Sequence, residues 1–343
     1  MESEEHFLEE GFKKSEIEAG QEIFSGNKPE KTGEKTAQER PEEIEQKIKK
    51  LKQGIGRAVD EKKLTPEPLE DAQQRIGKVK AYQDKYLPDY LCDRKKGIIG
   101  EAITYFWTRG LKFEIEGREN LPEKGPFLVV CNHFGLEGDA LAKTFKDYDL
   151  HLVVAKEVWW NSNPVIRWVL KKLKTIPIEE SLANISEEDK EASLKRQGKE
   201  GKRAFRKIID REKQGGTAMN AEFVRQAVAA LSRGDTVGIF PEGLWLNPEL
   251  PKIREKQEMK QGYRGIELVA GQYKKLTGEE LSIIPTAFVE DRTTGKKKLV
   301  IKDPVRLSEN DSRLNDTDWC MAHVAGMLPE SQRGYYKETA IER

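Results

Sequence analysis

From Lys112 onward, short apolar runs alternate with stretches of helical periodicity, and no other feature restricts the fold of this chain as much. The runs are Phe113–Glu116, Pro126–Cys131, His151–Ala155, Thr175–Ile178, Thr236–Phe240, Leu281–Phe288 and Lys298–Lys302. Helix-like segments lie at 139–147, 164–174, 187–213, 219–232, 262–276 and 316–328. The runs have the length of strands rather than helices. Parallel strands need a crossover connection, and a helix supplies it. The pattern therefore predicts an α/β domain with a mostly parallel central sheet flanked by helices.

Upstream of that domain the chain changes character. Residues 1–45 hold 14 acidic and 6 basic residues, net −8, with few aliphatics. Such a stretch buries too little apolar surface to offset the entropy of ordering, so disorder is expected. From Glu42 to about Lys85 apolar residues return at helical spacing: Ile44, Ile48 and Leu51, then Leu69, Ile76, Val79 and Tyr82. Thr65-Pro66-Glu67-Pro68 separates the two pieces. A charged helical hairpin follows, either a solvated spacer or a docking arm. The expected division is a charged N-terminal extension over 1–95 and one α/β domain over 96–343.

The whole chain is neutral, with 60 Lys+Arg against 60 Asp+Glu, which gives no warrant for a nucleic-acid partner. The 298 residues after the acidic head carry 54 basic and 46 acidic residues, net +8. A mildly basic body suits an anionic partner: a phosphate, a carrier or a membrane surface. The stretch 195–213 alone holds nine Lys/Arg and three Asp/Glu, as a solvated helix face or an anion-facing surface.

No run of about 20 apolar residues is present to span a bilayer. Met1-Glu2-Ser3-Glu4-Glu5 lacks the basic start and apolar core of a signal peptide. Cys92, Cys131 and Cys320 have no CxxC spacing and form neither a disulfide framework nor a zinc site. A cytoplasmic location is expected. The segment 97–111, GIIGEAITYFWTRGL, puts Ile98, Ile99, Ala102, Ile103 and Phe106 on one helical face. Arg94, Lys95 and Lys96 precede it, and Tyr105, Trp107 and Arg109 flank it. Two readings fit: a helix lying at a bilayer interface, or a helix packed on its own domain.

Three constellations carry candidate chemistry. Asn132-His133-Phe134-Gly135-Leu136-Glu137-Gly138-Asp139 follows the run PFLVVC and precedes a helix. A histidine at the carboxyl end of a strand stands where α/β folds place their sites. A carboxylate a few residues on can turn back to fix the imidazole tautomer and stabilise the imidazolium. A structural histidine capped by aspartate fits equally. Gly238-Ile239-Phe240-Pro241-Glu242-Gly243-Leu244-Trp245 follows another strand, and Pro and Gly around Glu242 predict a tight turn presenting the carboxylate outward. Ile283-Ile284-Pro285-Thr286-Ala287 is a strand interrupted by proline, which alone indicates an edge strand or a bulge.

In this order the blocks resemble those of the PlsC-type 1-acylglycerol-3-phosphate acyltransferases, a glycerolipid acyltransferase family with motifs NHxxxxD, FPEGTRS and a proline-containing strand. Asn132-His133 with Asp139, Phe240-Pro241-Glu242-Gly243, and Ile284-Pro285-Thr286 match these. Ala155-Lys156-Glu157 and 166–178 look like the family's second block, and Lys260-Gln261-Gly262 resembles the "KKG" after its third motif. Leu328-Pro329-Glu330-Ser331-Gln332-Arg333-Gly334-Tyr335-Tyr336 resembles the family's usual ending. The resemblance covers about residues 97–336.

The resemblance implies a glycerol-3-phosphate acyltransferase-like fold and acyl transfer from acyl-CoA or acyl-carrier protein to a lysolipid hydroxyl, most simply that of 1-acylglycerol-3-phosphate. His133 is then the general base, a role an ordinary histidine pKa of about 6.5 suits. Asp139 is the expected partner, standing directly before Ala140–Phe145, with Glu137 as the alternative. Asn132, Lys156, Phe240, Pro241, Glu242, Gly243, Trp245, Lys260 and Pro285 are the expected substrate-binding residues. No metal or organic cofactor is implied, because the thioester is already activated. The implied partners are a lysolipid, a thioester donor and, peripherally, the inner face of the membrane.

Three departures stand against the family pattern. Five residues, not four, separate His133 from Asp139. Glu180 follows Ile176-Pro177-Ile178-Glu179 where the family usually carries arginine, and Trp245 replaces the arginine of FPEGTRS. Those arginines are expected to grip the acceptor phosphate. Either other cations hold it here, among Lys156, Arg167, Lys171, Arg203, Arg206 and Lys260, or the acceptor is a lipid without a phosphomonoester. A non-catalytic lipid-binding protein of the same fold is the further alternative.

Overall fold

The computed structural model describes residues 66–92, 97–133, 137–155, 164–178, 206, 221–243, 258–291 and 293–342. Residues 1–65, the predicted helix at 187–213 apart from Arg206, and Lys156, Trp159, Trp160, Glu179, Glu180, Arg203 and Trp245 lie outside them. The described residues from Asp71 onward form one compact unit.

Each of the seven apolar runs forms a strand, with ends displaced by no more than two residues: β1 (Glu114–Glu116), β2 (Phe127–Cys131), β3 (Leu150–Ala155), β4 (Ile176–Ile178), β5 (Thr236–Ile239), β6 (Ser282–Glu290) and β7 (Lys297–Ile301). They make one sheet in the order β1-β7-β6-β2-β5-β3-β4. The five strands β2 to β6 are mutually parallel. β7 is antiparallel to β6 and β1 is parallel to β7, so one edge of the sheet runs the other way.

The described helices are α1 (Pro66–Tyr86), α2 (Asp89–Cys92), α3 (Gly97–Thr108), α4 (Glu137–Thr144), α5 (Pro164–Lys172), α6 (Ala221–Ser232), α7 (Gly265–Thr277) and α8 (Asp316–Ala325). Their placement follows from the central strand. All five residues of β2 are buried, because both faces of a parallel sheet are covered. Side chains alternate across a strand. Leu128 and Val130 accordingly join the core under α6, α7 and α8, with Ala227, Ile266 and Met321. Phe127, Val129 and Cys131 join the opposite core with Ala140 and Leu141 of α4. The Asn315 side chain starts α8 by accepting the Asp318 amide at 2.8 Å.

Two packing features stand out. The segment 71–92 packs with the rest of the described domain. Leu91 is completely buried in the main core, the Tyr90 hydroxyl donates to the Thr175 carbonyl at 3.2 Å, and Arg233 donates to the Cys92 carbonyl at 2.8 Å. The charged outer face of α1 disguised a segment whose inner side belongs to the domain. Second, Pro285 lies in a central strand, opposite Val130 of β2. Proline is tolerated there because its missing N–H falls in a gap. β7 pairs β6 only from Thr286 onward, Val305 bridges back at Ile283, and the Pro285 carbonyl accepts the Lys302 amide at 3.0 Å.

Candidate active site

β2 and β5 are adjacent and parallel, with Val130 opposite Ile239, so the segments leaving their carboxyl ends emerge side by side. One carries Asn132-His133 and the other Phe240-Pro241-Glu242-Gly243, which brings together two motifs 109 residues apart. The crevice beyond the carboxyl ends of parallel strands is the usual place for a ligand in such sheets.

Asn132 is fully buried and works for the scaffold. Its amide donates to the Phe288 carbonyl at 3.0 Å and accepts the Phe288 N–H at 2.8 Å. The side chain thus adds a rung to the β2–β6 ladder past Cys131 and aims the chain out of the sheet.

His133 comes next, its side chain 24% exposed. The ring stacks on Phe240 with centroids 4.8 Å apart and planes 27° from parallel. Nδ1 is shielded from solvent and has no hydrogen-bond partner, but it faces Oε2 of Glu137 at 3.6 Å. Glu137 opens α4 and is wholly buried. A carboxylate in the first turn is favoured by the helix dipole. The separation exceeds hydrogen-bond length.

Asp139, the carboxylate expected beside the imidazole, is engaged elsewhere. It takes a hydrogen bond from the side chain of Trp107 on α3. Burial pushes its carboxyl up to about 6, the Trp107 bond works against that, and the charge of Glu137 adds to it. The reason is the start of α4. The helix begins at Glu137 and not near Asp139, so Glu137 lies four residues after His133 on the side facing the ring.

Glu242 also departs from expectation. Its turn is tight, as predicted: the Gly243 amide reaches the Phe240 carbonyl at 3.2 Å. Gly243 has φ +54°, and a β-carbon there would meet the Tyr263 ring at 2.7 Å, so glycine is required. The carboxylate, however, points inward and is only 2% exposed. Oε1 accepts the His133 amide at 3.0 Å and Oε2 accepts the Lys260 amide at 2.8 Å. Burial drives the carboxyl up to about 7, against the opposing pull of these two amides and of His133. Lys260 contributes through its main chain, and Pro241 accepts the Tyr263 amide at 2.8 Å. A carboxylate with both oxygens on backbone amides is a bracket, not the outward-facing group expected from its turn.

Of the cations considered for an acceptor phosphate, Arg167 and Lys171 are exposed on α5, and Arg206 is exposed. Sequence reasoning did not single out Phe240 as the ring beneath His133, nor the buried Tyr336 behind the Glu242 bracket. The aromatic beside the third motif and the matched ending were the available signals.

This arrangement belongs to an acyl-transferring class of α/β proteins: the family model described as Acyltransferase matches residues 112–289, and the chain is a member of that family, of the PlsC type. The 1-acyl-sn-glycerol-3-phosphate acyltransferase of Bacillus subtilis (strain 168) is 22% identical over 200 residues, covering 57% of this chain and 75% of the relative. The crystal structure of the 1-acyl-sn-glycerophosphate (LPA) acyltransferase, PlsC, from Thermotoga maritima aligns with 63% of this chain and 70% of its own, at 16% identity and a TM-score of 0.38.

Proposed function

We propose that this acyltransferase moves a fatty acyl group from a thioester donor, acyl-CoA or acyl-carrier protein, to the free hydroxyl of 1-acylglycerol-3-phosphate. The observation that carries the chemistry is the placement of His133. It is partly exposed at the mouth of β2, with Nδ1 turned in toward the buried Glu137 carboxylate. Neutral His133 takes the proton of the acceptor hydroxyl as its oxygen attacks the thioester carbonyl. The tetrahedral intermediate expels the thiolate, which takes the proton back from the imidazolium. A C–O bond has formed, a C–S bond has broken, and the thiol leaves neutral. Glu137 holds the ring and stabilises its cation, the part a carboxylate plays beside a catalytic histidine.

The acceptor follows from the relative's name and from the mildly basic body. A lipid without a phosphomonoester is the second reading, favoured by Glu180 and Trp245 standing where the resembled motifs carry arginine. Attachment is proposed to be peripheral, at the inner face of the membrane. No described helix is long and apolar enough to cross a bilayer. α3 exposes Ile99, Tyr105, Phe106 and Trp107, and α5, which it touches, exposes Val165 and Trp168. Arg109 lies over the Phe106 ring at 5.3 Å and Lys172 over Trp168 at 5.8 Å. Aromatic rings with adjoining cations suit the headgroup level of a bilayer.

The test is transfer of labelled acyl groups from each donor to a panel of lysolipids with and without a phosphomonoester. The expected result is transfer to 1-acylglycerol-3-phosphate, with His133→Ala lowering kcat/KM by about 10² to 10⁴. Undiminished turnover by folded His133→Ala would overturn the role of His133. Preference for a neutral acceptor would select the second reading.

A further inference from the structure

The Glu242 bracket is held from behind by the end of the chain. Lys260, whose amide binds Glu242, lies in the irregular segment 258–263. The Met259 amide donates to the Gln332 carbonyl at 3.0 Å, and the Tyr335 amide donates to the Met259 carbonyl at 2.9 Å. The contact is close: Gly334 has φ +49°, and a β-carbon there would lie 2.1 Å from the Met259 oxygen. On the other side of Lys260, the Gly262 amide donates to the Tyr336 hydroxyl at 2.7 Å. That hydroxyl donates in turn to Oδ1 of Asp318 at 2.7 Å. Oδ2 of Asp318 accepts from Asn315 at 2.7 Å and Gln261 at 3.3 Å, so the carboxylate is fixed on α8.

Tyr336 is completely buried, and burial together with the Asp318 bond pushes its phenol far up, so it stays a donor. Its hydroxyl therefore accepts from one defined amide and donates to one defined carboxylate. Gly262 is two residues from Lys260, and Lys260 is one Glu242 carboxylate away from the His133 amide.

We infer that Tyr336 is a positioning residue for His133, acting through the Gly262 amide, the Lys260 amide and the Glu242 carboxylate. Loss of the hydroxyl alone frees Gly262 and Asp318, lets segment 258–263 shift, and slackens the grip of Glu242 on the histidine main chain. Small misplacements of a reacting group cost much in rate. The inference rests on His133 being the base, so a measurement independent of turnover accompanies the kinetics.

The chain has four histidines, few enough for their ring signals to be assigned by NMR in histidine-labelled protein, with His133→Ala identifying the one of interest. Tyr336→Phe keeps the ring and removes only the hydroxyl. The expected result is a displaced His133 ring signal with that of His151 unmoved, and kcat reduced about tenfold at nearly constant KM. Combination with Glu242→Gln is expected to be non-additive in kcat, as for groups in one network. An unmoved His133 signal, an unchanged kcat, or simple additivity overturns the inference. Asp318→Asn repeats the measurements where Tyr336→Phe does not fold, with the same outcomes required. Full activity in His133→Ala overturns the base assignment instead, and the displaced ring signal still decides the positional link.

Discussion

The amide of His133 donates to Oε1 of Glu242 at 3.0 Å, so the candidate base is fixed through its backbone by the motif of the neighbouring strand. The second oxygen of Glu242 holds Lys260 at 2.8 Å. Glutamine cannot replace such a carboxylate without harm, because its NH2 group would face a backbone N–H. Glu242→Gln is expected to lose about 1–3 kcal/mol of stability for the amide left unpaired. The loss depends on pH. The native carboxyl is raised from 4.5 to about 7, so between these values the folded state binds more protons than the unfolded one. The contribution of Glu242 to stability is thus fullest below about pH 4.5 and declines until about pH 7. Melting temperatures measured from pH 5 to 8 should show the gap between wild type and Glu242→Gln narrowing as pH rises. A constant gap would show that Glu242 does not titrate in this range.

Glu137 and Asp139 are distinguishable by their conservative amides. Glu137 faces Nδ1 of His133 at 3.6 Å, whereas Asp139 bonds Trp107. Glu137→Gln is expected to lower kcat about 10²-fold or more, since an amide cannot stabilise the imidazolium. Asp139→Asn still accepts the indole N–H through its carbonyl, and kcat should stay within about threefold of wild type. The reverse ranking in steady-state kinetics would restore Asp139 as the partner.

The strands were legible because length and apolarity distinguish buried strands directly, and motif order alone points to the family. What a residue does at the site was less legible. A glutamate between Pro241 and Gly243 makes the same turn whether its carboxylate faces water or two amides, and only the nearness of His133 and Lys260 decides. The choice between Glu137 and Asp139 hung on where α4 starts, a shift of two residues that turns a different carboxylate toward the ring. The Asn132 bond to Phe288 spans 156 residues, which no local pattern shows. The anchors of residues 71–92, Tyr90 and Leu91 among them, are few amid charges, so the packing of this segment leaves little trace in the sequence.

Far from this site, Asp235 offers a stability test. Burial would raise its carboxyl, but bonds from His151, at 3.0 Å, and from Arg233 outweigh burial and hold it below its usual value. His151 also contacts the Lys174 carbonyl at 2.9 Å, tying β3 to the turn that leads into β4. A carboxylate with a lowered native pKa contributes stability that is complete above its unfolded value, near 3.8, and is lost as pH falls through the lower native value. Asp235→Asn should cost about 3–5 kcal/mol at pH 7, the usual result of leaving a buried cationic partner, here Arg233, uncompensated. Urea unfolding at pH 7 and pH 3 should show that difference shrinking in acid. A deficit that persists at low pH would mean the change acts through packing and not through the charge.

The exposed rings of α3 allow the proposed membrane contact to be tested. Tyr105 and Phe106 are 66% and 57% exposed and touch edge to face at 5.6 Å, a cost in water that a bilayer interface removes. Substituting both by serine should weaken sedimentation with anionic phospholipid vesicles at least about tenfold, since burying one aromatic side chain contributes about 1.5–3 kcal/mol. Neither residue contacts His133 or Glu137 in the described bonds, so turnover of a micelle-free, short-chain acceptor should be little changed. Raising salt should weaken vesicle binding further if Arg109 and Lys172 meet lipid headgroups, because exposed charges are screened over about 10 Å at 0.1 M. Equal partitioning of wild type and the double variant would remove α3 from the membrane contact. Equal partitioning together with loss of short-chain turnover would assign the rings to the domain's own packing.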